Sequence, residues 1–211
     1  MKPYKKIELE GNANIVMRAV PGHFVAPNAH VNYYIDLTPM ESRISEAKAA
    51  AERLAEFHTY QTVVDTIVCL DGTEVIGAYL ADELTKAGVM SKNLHKSIYV
   101  LKPELAGGQM FFRENLVQWV EGKNVLLLFE LAATGRTILR AVQTLKFYKA
   151  TITGISAIFS TVDKVDGIPI RSIFTHKDLP DYHAYRAEEC PMCRDKMPVD
   201  GLWNGYGYTS L

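Results

Sequence analysis

A loop of small and hydroxyl-bearing residues at 132–137 has the composition of an anion-binding loop. It directly follows the apolar run 125–129, which is typical of a strand buried on both faces of a parallel sheet. Apolar residues then recur at helical spacing from Ile138 onward. Backbone N–H groups at a helix N-terminus favour an anion, and a glycine lets the backbone approach it closely. The predicted phosphate site consists of Ala132, Ala133, Thr134, Gly135, Arg136 and Thr137. The alternative is an ordinary strand-to-helix turn without a ligand.

A second strand, turn and helix occur earlier in the chain. The largely apolar run 63–70 predicts a buried strand, and apolar residues between 75 and 84 predict a helix. Asp71, Gly72 and Thr73 form the turn between them. A parallel sheet can bring both loops to one edge, where ligands bind at the carboxyl ends of the strands. A plain turn is the alternative for residues 71–73.

The order of these elements predicts an α/β fold, with a parallel sheet flanked by helices in a Rossmann-like arrangement. Further strands are predicted at 31–37, 97–101 and 152–159, and the clearest helix spans 41–58. The chain has 211 residues, which is long enough for a substantial core. We predict a single domain over 1–211.

Composition and charge exclude several kinds of partner. The formal net charge is −1 and the basic residues are scattered, so no nucleic-acid partner is expected. The sequence contains no apolar run near the length of a membrane span. Its start lacks the apolar segment of a signal peptide, and three cysteines do not suggest a disulfide framework. A cytoplasmic protein is therefore expected.

Two cysteines lie close together near the end of the sequence. Cys190 and Cys193 form a Cys-x-x-Cys pair, which is half of a zinc site, with His176 and His183 as candidate partners. The spacing from these histidines to the cysteines matches no zinc motif, and a single pair is a weak signal. The sequence therefore favours a turn without metal.

The stretch 125–137 resembles the phosphoribosyl-pyrophosphate (PRPP) motif of the type I phosphoribosyltransferases. That motif has four apolar residues, two acidic residues, two variable ones and a Thr/Gly-rich loop. Glu130 keeps the second acidic position, whereas Phe129 occupies the first. The Gly-Lys-Ser/Thr of an ATP-binding P-loop is absent. The resemblance covers about residues 22–174, and the orotate branch is the nearest by segment order.

The resemblance implies both a fold and a reaction. The implied fold has a small N-terminal hood, here 1–40, and a C-terminal tail, here 175–211; family members usually form homodimers. The implied reaction moves ribose 5-phosphate from PRPP to a nitrogenous base of nucleotide metabolism, and releases pyrophosphate. Glu130 would bind the ribose hydroxyls, and the 132–137 loop the 5-phosphate. The turn 71–73 would bind pyrophosphate together with Mg²⁺, a hard cation that suits carboxylate and phosphate oxygens.

The resemblance also assigns residues to a lid and to the base. Lys102 and Arg113 lie at the two ends of a segment that corresponds to the family's mobile, cation-bearing lid; an exposed hairpin is the alternative. Tyr34 lies in the hood, which covers the base in that family; a half-buried strand without a substrate role is the alternative. Lys164 takes the place of an arginine that holds the carboxylate of orotate, and lysine cannot make the same planar two-bond contact.

These departures keep other functions open. Phe129, a lid poor in cations and Lys164 all fit a non-catalytic sensor that binds PRPP or a nucleotide on the same fold. A phosphoribosyl hydrolase or phosphorylase is a third possibility.

Overall fold

The computed structural model describes residues 3–58, 62–86, 92–93, 97–107, 109–204 and 207–211. In chain order its elements are β1 (Lys5–Leu9), β2 (Asn12–Ala26), β3 (Ala29–Asp36), α1 (Thr38–Ser42), α2 (Ile44–Ala55), β4 (Thr66–Cys69), α3 (Glu74–Lys86), β5 (Tyr99–Leu101), β6 (Glu104–Ala106), β7 (Gln109–Phe111), α4 (Glu114–Val117), β8 (Asn124–Ala132), α5 (Arg136–Phe147), β9 (Thr151–Ser160), β10 (Lys164–Val165), β11 (Ile168–Thr175), β12 (Ala184–Tyr185), a 3₁₀ turn (Ala187–Glu189), α6 (Pro191–Arg194), β13 (Gly201–Asn204) and β14 (Gly207–Ser210).

A parallel sheet forms the centre of the molecule. Its strand order is β10-β11-β9-β8-β4-β5, and every neighbouring pair is parallel except β10 with β11. The predicted α/β fold with a parallel sheet is therefore confirmed. Strand β8 is buried on both faces, as its apolar run predicts.

Alternate residues of β8 face two different hydrophobic clusters. Leu126 and Leu128 pack on the side of α2 and α3, whereas Leu127 and Phe129 pack on the side of α5. This alternation follows from the period of two in a strand. It places Phe129 and Glu130 on opposite faces of the sheet.

A second sheet joins the hood to the tail. Strands β1, β2 and β3 form the hood, and the tail contributes β12 beside β3, and β13 parallel to β2. The aromatic rings of Phe24, Tyr34, Trp203 and Tyr208 pack together between hood and tail. Residues 201–204 and 207–210 of the tail form the hairpin β13–β14, and residues 205–206 lie outside the described residues.

A short hairpin, β6–β7, lies beside α5. Phe112 after β7 packs its ring edge-on against Tyr148, and its backbone N–H donates to the Tyr148 hydroxyl over 3.2 Å.

Within the described residues, the structure contains no helix that is long and apolar enough to span a bilayer.

Candidate active site

Both predicted loops lie at one cavity. Strands β4 and β8 are parallel neighbours with Cys69 opposite Leu128, so the loops that follow them emerge side by side. The cavity is lined by residues 130–138 and by Asp71, and the hood turn 26–29 and Trp203 of the tail cover it. The sheet thus positions the loops, and the hood and tail enclose the space above them.

Hydrogen bonds from Thr161, the residue after β9, hold the 132–137 loop in place. Thr161 donates its backbone N–H to the Ala132 carbonyl over 3.0 Å and its hydroxyl to the Ala133 carbonyl over 2.8 Å. Helix α5 begins at Arg136, and the N–H groups of its first turn have no partner within the helix. Thr134, Arg136 and Thr137 line the cavity beside these groups. The loop therefore has the N–H groups, hydroxyls and cation that an anion requires.

The backbone conformation at position 135 favours glycine, in addition to the close approach of an anion that glycine allows. Its φ is +69°, a left-handed conformation that glycine adopts without strain. A Cβ at this position would lie 2.9 Å from Cγ2 of Val165. A larger residue here would therefore disturb the loop itself, so the neighbouring side chains are better probes of anion binding.

The 71–73 turn has two consecutive residues with positive φ. Asp71 has φ +56° and Gly72 has φ +89°, and a non-glycine residue in this region is uncommon. The Thr73 hydroxyl donates to the Leu70 carbonyl over 2.9 Å and fixes the turn at the start of α3. Such strained turns are concentrated at ligand sites.

An acidic residue that the sequence did not reveal, Glu41, lies against this turn. A Cβ on Gly72 would be 3.3 Å from each carboxylate oxygen of Glu41. Within the described residues, Glu41 Oε1 is buried and has no hydrogen-bond partner. Burial, and then the charges of Asp71 and Glu74, raise the pKa of Glu41 to about 7. Nothing in the sequence around 38–42 distinguishes this glutamate from a solvated one.

Glu130 is the predicted acidic residue that reaches the cavity. Its side chain is buried, with 8% of the residue exposed. Burial raises the pKa of Glu130 well above its usual range, and the nearby carboxylates of Glu41 and Asp71 raise it further. A carboxyl group in this position accepts hydrogen bonds, and it also donates one when it is protonated.

No family model matches the chain. A curated orotate phosphoribosyltransferase of Chlorobium phaeobacteroides is 26% identical over 183 residues, covering 85% of this chain and 86% of that protein. The structure is similar to that of a phosphoribosyltransferase from Corynebacterium diphtheriae, with a TM-score of 0.52, 20% identity, and 77% of this chain and 90% of the other covered. It is also similar to the adenine phosphoribosyltransferase of Trypanosoma brucei, solved with AMP, pyrophosphate and ribose-5-phosphate. That pair has a TM-score of 0.51, 13% identity, and coverage of 81% of this chain and 80% of the other.

The chain has the type I phosphoribosyltransferase fold. The resemblance of the chain to the type I phosphoribosyltransferases is thus confirmed. On this phosphoribosyltransferase fold, the cavity lies at the carboxyl ends of the parallel strands, as ligand sites in open α/β sheets do.

The two cations assigned to the lid of this phosphoribosyltransferase fold occupy different surroundings. Lys102 forms an ion pair with Glu74 in the first turn of α3. Burial raises the pKa of Asp71 and of Glu41, and the positive charge of Lys102 lowers both. Arg113 instead makes two hydrogen bonds to the carboxylate of Glu104 across the β6–β7 hairpin, at 2.5 and 2.7 Å. Arg113 is not among the residues that line the cavity.

Neither of the two residues assigned to the base lines the cavity. Tyr34 is buried beneath Trp203, with ring centroids 5.5 Å apart, and burial followed by the charges of Asp36 and Glu130 raises its pKa. Lys164 is exposed on β10 and does not line the cavity. Trp203, which does line it, was missed from the sequence because it lies in the tail.

The tail cysteines have different neighbours from those proposed from the sequence. His176 and His183 are both exposed. The two histidines that lie beside Cys190 and Cys193 come from the hood, as described below.

Proposed function

We propose that this chain is a phosphoribosyltransferase, which transfers ribose 5-phosphate from PRPP to a nitrogenous base and releases pyrophosphate. The observation that carries the proposal is the meeting of the 132–137 loop, Glu130 and Asp71 at one cavity. The relatives named above act on different bases according to their names, so both pyrimidines and purines are candidate acceptors.

The first loop suits the 5-phosphate of PRPP. The N–H groups at the start of α5 and the hydroxyls of Thr134 and Thr137 would donate to the phosphate oxygens. Arg136 would add a charge-assisted bond. Among the described residues that line the cavity, Glu130 and Asp71 are the acidic ones.

The second loop suits pyrophosphate only together with a cation. Burial and then the charges of Asp71 and Glu74 raise the pKa of Glu41, and burial and the charge of Glu74 raise that of Asp71. These carboxyl groups therefore lie close together and would repel a bare anion. The unpartnered Glu41 Oε1 and the Asp71 carboxylate are hard oxygen donors, which fit Mg²⁺. When bound, Mg²⁺ would neutralise charge on the departing pyrophosphate.

The reaction would break one bond and form another at the same carbon. A nitrogen of the base donates its electron pair to C1 of the ribose, the bond from C1 to the pyrophosphate oxygen breaks, and the proton of the attacking nitrogen passes to water. Glu130 would hold the ribose hydroxyls, so the ring keeps its position while positive charge develops on it. The hood turn and Trp203 would exclude water from the reacting carbon.

A sensor that binds PRPP without turnover is the second candidate, and three placements favour it. Phe129 is part of the core and offers no acid, Arg113 is paired with Glu104, and Lys164 is exposed away from the cavity lining. All three positions carry function in the resembled family. The cavity itself is common to both proposals.

Binding and turnover measured together distinguish the candidates. PRPP is titrated calorimetrically with and without Mg²⁺, and pyrophosphate release is then assayed with uracil, orotate, hypoxanthine, xanthine and adenine. Release that depends on one base supports the transferase. Tight binding without release supports the sensor, release without any base supports a hydrolase, and failure to bind PRPP excludes all three.

Glu130→Gln tests the assigned carboxylate. Losing a bond to a charged group costs about 1.5–3 kcal/mol, so turnover should fall roughly ten- to a hundredfold if the bond acts in the transition state. Affinity for PRPP should change much less. Glu10→Gln, on an exposed turn, is the matched control.

A further inference from the structure

Four side chains with metal-binding atoms meet where the hood contacts the tail. His23 and His30 belong to β2 and β3, and Cys190 and Cys193 belong to the segment around α6. One ligand atom from each residue lies within 4.8 Å of all the others. The cluster joins parts of the chain that are more than 150 residues apart in sequence.

Four of the six distances between these atoms are close to those between the corners of a zinc tetrahedron. His23 Nε2 lies 3.1 Å from His30 Nδ1, and 3.7 and 3.6 Å from the sulfurs of Cys190 and Cys193. Cys193 Sγ lies 3.2 Å from His30 Nδ1. Atoms bonded to one tetrahedral Zn²⁺, at about 2.0–2.3 Å, lie roughly 3.3–3.8 Å apart. The side chains therefore have the spacing of ligands around a common centre.

The surroundings of His23 orient it as a ligand. Its Nδ1 lies 3.1 Å from the Met197 carbonyl, which accepts a hydrogen bond from Nδ1–H and leaves the lone pair of Nε2 directed at the cluster. Its backbone N–H donates to the Asp200 carboxylate over 2.8 Å, and its carbonyl accepts from the Asp200 N–H over 2.7 Å. Metal-binding histidines usually donate their other ring N–H to a carbonyl or carboxylate in this way.

The cluster is also accessible and chemically selective. Cys190 and His23 are buried, at 2% and 1% exposure, whereas Cys193 is exposed, so an ion can enter from the surface. Two thiolates with two imidazoles in tetrahedral spacing suit zinc rather than a hard cation. The residues 23 and 30 are far from the cysteines in sequence, so no zinc motif is visible there.

We propose that His23, His30, Cys190 and Cys193 bind one structural Zn²⁺. Four protein ligands complete a tetrahedron and leave no position for water or substrate, as in structural zinc sites. The ion fastens the tail to the hood hairpin, whose turn at 26–29 lines the candidate active site. This is the opposite of the metal-free turn that the Cys-x-x-Cys favoured from sequence alone.

Metal content tests the proposal without reference to activity. The chain is purified in reducing buffer without added zinc or chelator, and zinc per chain is measured by plasma mass spectrometry. We expect about one equivalent in the parent. Cys193→Ser and His30→Asn each remove a ligand of the ion. Their zinc affinity should therefore fall by more than the roughly 10–100-fold that is lost when a residue hydrogen-bonded to a ligand is replaced. His176→Asn, which changes an exposed histidine outside the cluster, should keep the parent's zinc.

A cobalt titration keeps the test valid if a variant folds poorly. Parent protein stripped of metal is titrated with Co²⁺ in reducing buffer, and we expect thiolate-to-cobalt charge-transfer bands with the intense visible bands of tetrahedral cobalt. Two results would overturn the proposal: a parent without zinc that takes up neither Zn²⁺ nor Co²⁺, or a Cys190–Cys193 disulfide in protein kept under reductant.

Discussion

At the residue scale, Phe129 and Glu130 are adjacent on β8 yet face different parts of the molecule. Phe129 is fully buried in the cluster beside α5, whereas Glu130 faces the cavity. An acid at position 129, where the PRPP motif has its first acidic residue, would replace a side chain of this apolar cluster on the face opposite Glu130. The missing acid is therefore compatible with a working site that depends on Glu130.

Phe129→Glu should destabilise the fold rather than raise the rate. A buried carboxylate without a partner is costly, and truncating a buried Phe alone costs about 3–5 kcal/mol, so we expect a loss of at least this size. Phe129→Leu, which keeps an apolar side chain, should cost less. Urea denaturation of both variants measures the difference; equal midpoints for Phe129→Glu and the parent would contradict the burial of this residue.

The acidic cluster makes stability depend on pH in an unusual direction. Glu41 and Glu130 have raised pKa values in the folded state, so the folded chain binds more protons than the unfolded chain between about pH 4.5 and 7. The free energy of unfolding should therefore fall as the pH rises through this window. Urea midpoints at pH 5, 6, 7 and 8 measure the trend, which Glu41→Gln should flatten and Glu10→Gln should leave unchanged.

At the element scale, α5 has two arginines one turn apart on the same face, and these offer a matched pair. Arg136 in the first turn lines the cavity, whereas Arg140, one turn later, lies beside the β6–β7 hairpin. Arg136→Ala should weaken PRPP binding roughly ten- to a hundredfold, because a charge-assisted bond to phosphate is worth about 1.5–3 kcal/mol. Arg140→Ala should have little effect. Calorimetric titration measures both; equal losses would place the phosphate elsewhere.

The elements differ in how far the sequence could predict them. Strands β4 and β8 were predicted because their apolar runs and the following loops are local signals. The predicted helix 41–58 appears as α1 and α2, because Arg43 has an extended backbone between them. The pairing of β13 with β2 was not predictable, since it joins residues about 180 positions apart with no local pattern.

The same distinction applies to the site. The placement of Asp71 and of residues 130–137 at the cavity is predictable from the sequence, because each lies at or just after the end of a recognisable strand. Glu41 and the zinc-binding histidines were not found, because only tertiary contacts give them their surroundings.

At the scale of the whole molecule, the hood and the tail together cover a cavity whose floor is built by the central sheet. The aromatic cluster and the four-residue metal cluster both lie at the contact between hood and tail. A substitution in the tail can therefore alter the candidate active site even where the substituted residue does not contact the 132–137 loop. The homodimer implied by the resemblance remains a prediction, which light scattering can check.

The two tryptophans provide a test of the tail's position over the cavity. Trp203 lines the cavity, whereas Trp119 stacks on Tyr99 with ring centroids 3.8 Å apart and is not among the lining residues. In Trp119→Phe, where Trp203 is the remaining tryptophan, adding PRPP with Mg²⁺ should change the fluorescence, because a charged ligand alters the polarity around the indole. In Trp203→Phe, which retains Trp119, the same titration should give a flat signal while calorimetry still detects binding. A ligand-dependent signal from Trp119 alone would mean that PRPP binds away from the tail, and that hood and tail do not cover the bound ligand.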